Sequence, residues 1–205
     1  MSARHAAVEL IRSEGFTRGA ELGVWRGARA WEILDSCPSV ESLLLVDPWE
    51  EVRNRFPLKP WERSPDRMPD GFYHCTMGEP HADQAALDRM AAKVIDTAAA
   101  YGPTRVTVRR GAAEHVVWSI PDETFDFVLI DGVHLAGWLR SMLLAWAPKV
   151  RAGGVVAGDG ANDRVLFPAI QESVSVLGAG LVTIGDFWWR RRAAASAETG
   201  LVAHG

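Results

Sequence analysis

The segment FDFVLIDGVH, residues 125–134, is an apolar run that ends on an aspartate, a glycine and a histidine. A run this hydrophobic predicts a strand buried on both faces, which is typical of a parallel sheet covered by helices. A carboxylate is costly to bury unless it is paired, solvated or bound to a ligand. Asp131, at the end of this strand, therefore indicates a site.

Three other apolar segments carry an acidic residue at or near their ends. They are GAELGV with Glu21, SLLLVD with Asp47, and GGVVAGDG with Asp159. In open α/β sheets, ligands bind beyond the carboxyl ends of the strands, so the four carboxylates predict one ligand-binding rim. A helix N-cap or a turn is the alternative for any single one, but it explains all four together less well.

The strand-like segments alternate with helical patterns, which predicts an α/β fold with a doubly wound, mostly parallel sheet and helices on both faces. GLVTIGDFWWRRR adds two strands joined tightly at Gly185 and Asp186. The expected strands are 19–24, 42–47, 105–110, 125–131 and 153–159, and the expected helices are 28–34, 85–100, 112–118, 135–147 and 164–177.

A length of 205 residues suits one domain with a sizeable core. We expect that domain to span residues 1–192, with a flexible tail at 193–205. The polar, proline-rich stretch at about 48–83 is long for a loop, and it predicts a lid-like insertion.

Composition, charge and cysteine content indicate the class of protein, its partners and its location in the cell. Hydrophobic residues make up 48% and charged residues 23%, as in ordinary soluble domains. The net charge of −4 disfavours binding to nucleic acid through phosphate neutralisation, and the basic run 190–192 is expected to be a solvated terminus. No apolar run is long enough to span a membrane, and the first residues lack the apolar core of a signal peptide. Cys37 and Cys75 match neither a disulfide framework nor a zinc site, so we expect reduced thiols and a cytoplasmic protein.

The segment ELGVWRG, residues 21–27, predicts a strand-to-helix turn with glycines four residues apart. It differs from the dinucleotide-binding pattern GxGxxG, and Trp25 stands where a pyrophosphate needs a small residue. The carboxylate of Glu21 suits an ammonium group better than a pyrophosphate. Asp47, some two dozen residues downstream, occupies the position of acids that typically bind ribose hydroxyls.

Small residues follow the third predicted strand, in the segment VRRGAAE. Ala112 and Ala113 would let a flat base lie against the backbone. An ordinary helix start explains the same pattern equally well.

Together, ELGVWRG, LLLVDPW, VRRGAAE, FDFVLIDGVH and GGVVAGD resemble the successive motifs of class I S-adenosylmethionine-dependent methyltransferases. The resemblance covers residues 18–192 and is closest to small-molecule O-methyltransferases, including the macrocin-type sugar enzymes and, more distantly, the catechol type. It implies a Rossmann-like seven-stranded sheet with an antiparallel C-terminal strand.

The resemblance also implies roles for residues. Glu21 and the turn around Gly23 would hold the methionine part of the cofactor, Asp47 the ribose diol, and Asp131 would lie near the sulfonium. The complete cofactor-binding set that it implies is Glu21, Gly23, Val24, Trp25, Gly27, Asp47, Pro48, Trp49, Gly111, Ala112, Ala113, Asp131 and Gly132.

In metal-dependent members of the class, the aspartate at the position of Asp131 ligates magnesium and a catalytic base lies three residues later. His134 holds that position here, and a loop histidine without a catalytic role is the alternative. Asp159 matches the first residue of a further ligand pair, but Gly160 replaces the second. A Mg²⁺ ion on Asp131 and Asp159 is therefore left open.

The expected function is methyl transfer from S-adenosylmethionine to a hydroxyl of a small molecule, such as a natural-product or sugar intermediate. His134 and Asp131 would be the catalytic residues. The acceptor is the expected partner, without nucleic acid or membrane, and a homodimer is left open. The alternatives are an N-methyltransferase, an NAD(P)-dependent oxidoreductase and a non-catalytic cofactor-binding protein.

Overall fold

The computed structural model describes residues 2–50, 83–132, 135–173, 177–178 and 180–193. Most of the predicted lid, the predicted base His134 and nearly all of the predicted tail lie outside these residues. The domain boundaries, the lid and the tail therefore remain predictions.

Six helices and seven strands alternate along the described chain. The helices are α1 (Ala3–Glu14), α2 (Ala28–Ser36), α3 (Gln84–Tyr101), α4 (Ala113–Val116), α5 (Ala136–Trp146) and α6 (Phe167–Glu172). The strands are β1 (Arg18–Leu22), β2 (Ser42–Asp47), β3 (Val106–Arg110), β4 (Phe125–Ile130), β5 (Val150–Gly158), β6 (Val182–Ile184) and β7 (Phe187–Arg191). None of the described helices combines the length and apolar character needed to cross a membrane.

The seven strands form one sheet in the order β3-β2-β1-β4-β5-β7-β6. Strands β1 to β5 pair in parallel, whereas β7 runs antiparallel to both β5 and β6. The chain reverses at Gly185, whose φ of 60° lies in the left-handed region. The predicted mostly parallel sheet with an antiparallel C-terminal strand is confirmed.

Two hydrophobic cores cover the two faces of the sheet. Leu43 and Leu45 of β2 point to the core beneath α1, α2 and α3, while Leu44 points to the core beneath α4, α5 and α6. Phe127 and Val128 of β4 divide in the same way. This alternation explains why the strands are apolar throughout, since successive side chains point to opposite faces and both faces are buried.

The structure changes some predicted bounds. β1 ends at Leu22 because Gly23 leaves the extended conformation with φ 90°. β5 begins at Val150, earlier than expected, and its pairing with β4 shifts register between Phe125 and Phe127. The predicted helix at 112–118 is divided into α4 and a 3₁₀ turn at Val117–Ser119, and α6 is shorter than expected.

The basic run 190–192 is not a solvated terminus, and that expectation was wrong. Arg190 belongs to β7, is only 5% exposed, and donates to the carbonyl oxygens of Gly178 and Gln171 at 3.1 Å each. Arg191 pairs with Glu14 at 2.7 Å. Arg190 and Arg191 therefore bind β7 to neighbouring segments. This role could not be predicted from the sequence, because the partners are distant along the chain.

A buried carboxylate joins three strands at the amino edge of the sheet. Asp126 Oδ2 accepts from the backbone N–H groups of Thr17 and Arg18 at 2.6 and 3.0 Å, and Oδ1 accepts from Arg151 Nε at 2.5 Å. Burial alone would raise the pKa of Asp126, but the Arg151 hydrogen bond and the two backbone amides outweigh it, and the pKa lies below its ordinary value. This charge is structural and lies opposite the predicted rim.

Replacing this carboxylate should destabilise the sheet. Asp126→Asn removes charge-assisted hydrogen bonds, and we expect it to lower the free energy of unfolding by about 2 kcal/mol at pH 7. A depressed native pKa stabilises the fold above the unfolded pKa and ceases to do so as pH falls through the native pKa. The difference between wild type and variant should therefore shrink below about pH 4, which urea unfolding at several pH values measures.

Asp122→Asn provides a matched control, because Asp122 is exposed and pairs with Lys149 at the surface. Exposed ion pairs contribute at most about 1 kcal/mol. An equal loss of stability in the two variants would contradict the structural role assigned to Asp126.

Candidate functional site

Four acidic side chains lie at the carboxyl edge of four adjacent strands. β2, β1, β4 and β5 are neighbours in the sheet, and they place Asp47, Glu21, Asp131 and Asp159 along one edge. The electrostatic environment of Glu21 includes the other three carboxylates, which confirms that they are close. The structure therefore brings the predicted rim together.

Glu21 is the most buried of the four acids. Ala20 and Leu22 point to the core beneath α5, so Glu21 between them faces the layer of α1 to α3. Its side chain is 2% exposed, and Oε2 has no hydrogen-bond partner within the described residues. Burial raises the pKa of Glu21 to about 8; Arg29 opposes the rise, and Asp131 adds to it. Glu21 is therefore mainly protonated at neutral pH.

A buried arginine lies between two of the acids. Arg29 Nη2 is 2.5 Å from Asp159 Oδ2 and 3.1 Å from Asp131 Oδ2, and the arginine is 7% exposed. Its Nε and Nη1 have no hydrogen-bond partners within the described residues. Burial disfavours the charged guanidinium, but the carboxylates outweigh that effect and raise the pKa of Arg29.

Sequence reasoning missed Arg29, although a signal was present. Arg29 lies four residues before Ile33, a fully buried residue on the inner face of α2. An arginine on the apolar face of a short helix predicts a buried partner. The partners themselves were not predictable, because they lie more than a hundred residues away in sequence.

The loop after β5 is held by the C-terminal strands. Trp188 is fully buried and its Nε1 donates to the carbonyl oxygen of Asp159 at 3.0 Å. Three residues further on, Asn162 N donates to Asp186 Oδ1 at 2.9 Å. Burial raises the pKa of Asp159, and its pairing with Arg29 opposes the rise. The backbone that carries Asp159 is therefore fixed independently of any ligand.

Asp47 organises two turns of the rim. Its Oδ2 accepts from Trp25 N at 2.9 Å and its Oδ1 accepts from Trp49 N at 2.7 Å. Trp49 is 1% exposed and its indole Nε1 donates to the carbonyl oxygen of Trp25 at 2.9 Å. Both tryptophans have positive φ, 52° and 41° respectively. The carboxylate thus stabilises two unfavourable backbone conformations through charge-assisted hydrogen bonds.

Gly23 is required by a backbone contact. A Cβ on Gly23 would lie 1.3 Å from the carbonyl oxygen of Asp131, so only glycine allows the segments after β1 and β4 to touch. Gly27, with φ 77°, is the N-cap residue immediately before α2, and the ring of Trp31 occupies the space where a Cβ would lie. These glycines serve packing within the rim, and their predicted close approach to a ligand remains a prediction.

The other predicted cofactor residues lie around the same edge. Gly111 N donates to the carbonyl oxygen of Asp47 at 2.9 Å, and Ala112 immediately precedes α4. Ala113 is buried, and its carbonyl oxygen accepts from Trp146 Nε1 at 3.2 Å. Val24 is buried, Pro48 is half-buried, and Gly132 packs against Trp138. Their contacts with a cofactor remain predictions.

The magnesium site does not fit the described residues. Among them, no group of three or more histidine, cysteine or acidic side chains is arranged to hold a metal. Asp131 and Asp159 both contact Arg29. Gly160, with φ 99°, lies where a Cβ would be 2.6 Å from Leu166 Cδ1, so a second carboxylate there would be strained. His134 lies outside the described residues.

A protein-family comparison agrees with this arrangement. Residues 20–160 match the family model described as a methyltransferase domain, and this match covers well over half of the chain. It extends from β1 to the loop after β5, and it therefore includes all four acidic rim residues and Arg29. No curated protein matches the chain.

Solved structures share the fold. The O-methyltransferase NovP has a TM-score of 0.60 at 19% identity, with 93% of this chain and 78% of NovP covered. A candidate caffeoyl-CoA O-methyltransferase from Staphylococcus aureus has a TM-score of 0.55 at 13% identity, covering 91% of this chain and 80% of that one. Spermidine synthase from Thermotoga maritima has the same TM-score and identity, covering 91% of this chain and 57% of that one.

The spermidine synthase shares this fold but is not named a methyltransferase, so the fold alone does not identify the group that an enzyme transfers. The family match supplies that part of the assignment, because it spans the strand ends and the turns that build the rim. The chain therefore belongs to the methyltransferase domain family and is a class I S-adenosylmethionine-dependent methyltransferase.

Proposed function

We propose that the protein transfers a methyl group from S-adenosylmethionine to a hydroxyl group of a small molecule. The observation that carries this proposal is the buried oxygen of Glu21, which has no partner in the part of the chain that the structure describes and lies beside three aspartates, in a chain of the methyltransferase family. A buried acceptor without a partner is costly, and a cationic ligand at that position would satisfy it.

The rim suits a positively charged cofactor. Among the residues that bear on Glu21, four carboxyl groups including its own face one cation, Arg29. The methionine ammonium and the sulfonium of S-adenosylmethionine are both positive, so a surplus of acidic groups favours binding. We assign the ammonium group to Glu21 and the ribose hydroxyls to Asp47, whose carboxylate is already held by two backbone amides.

When bound, S-adenosylmethionine supplies an electrophilic methyl group on a sulfonium, which is a good leaving group. The chain must then align the acceptor with that methyl group, and such positioning contributes up to about 7–11 kcal/mol. Asp131 follows β4 directly, and we assign it to the sulfonium end of the site. His134, three residues later, is the candidate base that takes the proton of the acceptor hydroxyl.

The nature of the acceptor rests on resemblance. NovP is named an O-methyltransferase, and the sequence motifs also resemble those of small-molecule O-methyltransferases. We therefore propose a natural-product or sugar intermediate as acceptor, with no nucleic-acid or membrane partner, and a cytoplasmic setting. A homodimer and N-methylation are retained as alternatives. Magnesium is not assigned a role, because Arg29 contacts both carboxylates that would ligate it.

The first prediction concerns the cofactor. S-adenosylhomocysteine should bind the full chain at one site per chain in isothermal titration calorimetry, whereas NAD should not bind. The turn ELGVWRG places a carboxylate and a tryptophan where a pyrophosphate needs amides and a small residue. Binding of NAD without binding of S-adenosylhomocysteine would refute the proposal.

The second prediction concerns the pH dependence of binding. Below pH 8 the Glu21 carboxyl of the free protein is protonated and must lose its proton before it can pair with an ammonium group. The affinity for S-adenosylhomocysteine should therefore increase from pH 6 to pH 8, by up to about tenfold per pH unit, and protons should be released on binding. Calorimetry in buffers of different ionisation enthalpy counts those protons.

Glu21→Gln keeps the size of the side chain but cannot ionise, so its affinity should be lower at pH 8 and nearly independent of pH. Glu9→Gln, at a half-buried position of α1 where Glu9 pairs with Arg12, is the matched control and should behave like wild type. The same pH dependence and proton release in Glu21→Gln as in wild type would show that another group titrates.

The third prediction concerns the base. Methyl transfer from labelled S-adenosylmethionine is measured with a panel of phenol, sugar and amine probes, and a hydroxyl probe should be methylated. His134→Gln should lower kcat by about 10²–10⁴-fold and remove the decline in rate on the acidic side of the pH profile. Binding of S-adenosylhomocysteine should be unchanged.

His5→Gln is the control, because His5 is exposed on α1. An unchanged pH profile and kcat in His134→Gln would exclude this residue as the base. Transfer to amine probes alone would refute the hydroxyl acceptor and leave the cofactor assignment intact.

A further inference from the structure

Two carboxylates at the ends of the neighbouring strands β4 and β5 contact the same guanidinium nitrogen. Asp159 Oδ2 lies 2.5 Å and Asp131 Oδ2 lies 3.1 Å from Arg29 Nη2. These two aspartates are also the side chains on which the family resemblance left a magnesium ion open. The arginine is 7% exposed, so solvent screens the interaction little.

The position of the guanidinium is built into the fold. Arg29 lies in the first turn of α2, whose start is fixed by Gly27 and whose inner face packs through Ala30 and Ile33 into the core. Asp159, in turn, is fixed by the indole of Trp188. Neither group can move away without disturbing its element, and Arg29 without the aspartates would be a buried, unpaired charge.

A divalent cation would compete with Arg29 for the same two carboxylates. Mg²⁺ binds carboxylate oxygens directly at about 2.0–2.1 Å, and here one oxygen of each aspartate already contacts a cation. A metal at that place would also lie beside the guanidinium, with which it shares its sign of charge. The next residue, Gly160, offers no further ligand and has no room for one.

We propose that Arg29 is a built-in counterion that takes the place of a divalent cation between Asp131 and Asp159, so that the enzyme orders this edge of its site without metal. The guanidinium carries one positive charge where a metal would carry two. The rim therefore keeps a more negative net charge than it would with a metal ion, and this favours a cationic cofactor. Arg29 is a positioning residue in this scheme, because it acts through the two aspartates.

The proposal predicts that removal of Arg29 creates a metal site. Mn²⁺ binding is followed by the electron paramagnetic resonance signal of the free ion, with and without saturating S-adenosylhomocysteine. The wild-type full chain should bind no Mn²⁺ that depends on Asp159. Arg29→Ala should bind one Mn²⁺ per chain, and the double variant Arg29→Ala/Asp159→Asn should lose that ion.

Two further variants separate charge from structure. Arg29→Lys keeps a positive charge and should still exclude Mn²⁺, whereas Arg29→Gln is neutral, nearer to arginine in size than alanine, and should admit it if Arg29→Ala does not fold. Arg140→Ala, which removes a surface arginine paired with Glu172, is the matched control and should bind Mn²⁺ no better than wild type.

Either of two results would overturn the proposal. One is a wild-type protein that binds Mn²⁺ and loses it on Asp159→Asn, and the other is the absence of Mn²⁺ binding in folded Arg29→Ala or Arg29→Gln. Because the measurement needs no acceptor, its failure would leave the proposed methyl transfer standing. Conversely, failure of the cofactor titration would not change the Mn²⁺ result.

Discussion

The pairing of Arg29 with Asp131 and Asp159 is the interaction on which the rim depends. It connects α2 with the ends of β4 and β5, so one guanidinium holds together three elements that are distant in sequence. Buried ion pairs rarely stabilise a protein more than apolar packing would. Their presence here indicates a requirement for charge at this edge, which lies within the residues that match the methyltransferase domain.

Asp47 has a comparable role on the other side of β1. Its carboxylate accepts from Trp25 N and Trp49 N, and it thereby holds two turns in which a tryptophan has positive φ. Such conformations persist only where the surroundings stabilise them, and they are common at functional sites. One acidic residue thus shapes the turn after β1 and the turn after β2, before any ligand hydroxyl is considered.

The sequence predicted the features that depend on local pattern. Apolar runs ending in acids predicted the positions of the strands along the chain and their common edge, because side-chain alternation and the carboxyl-edge rule need no knowledge of distant contacts. Contacts across the fold could not be predicted. Asp126 lies within an otherwise apolar strand, and the arginines of β7 were expected to form a solvated terminus. The role of Arg29 depends on β4 and β5, which place two aspartates beside it.

Glu21 shows how the same physics serves both stability and function. Burial raises its pKa to about 8, so the free protein avoids the cost of one more buried negative charge. With Glu21 neutral, the single positive charge of Arg29 lies against the carboxyl groups of both Asp131 and Asp159 and offsets part of the negative charge at this edge. Arrival of a cation changes the balance, since an ionised Glu21 then has a partner of opposite sign. The ionisation of Glu21 thus depends on the ligand, while the fixed arginine supplies the positive charge of this edge in the free state.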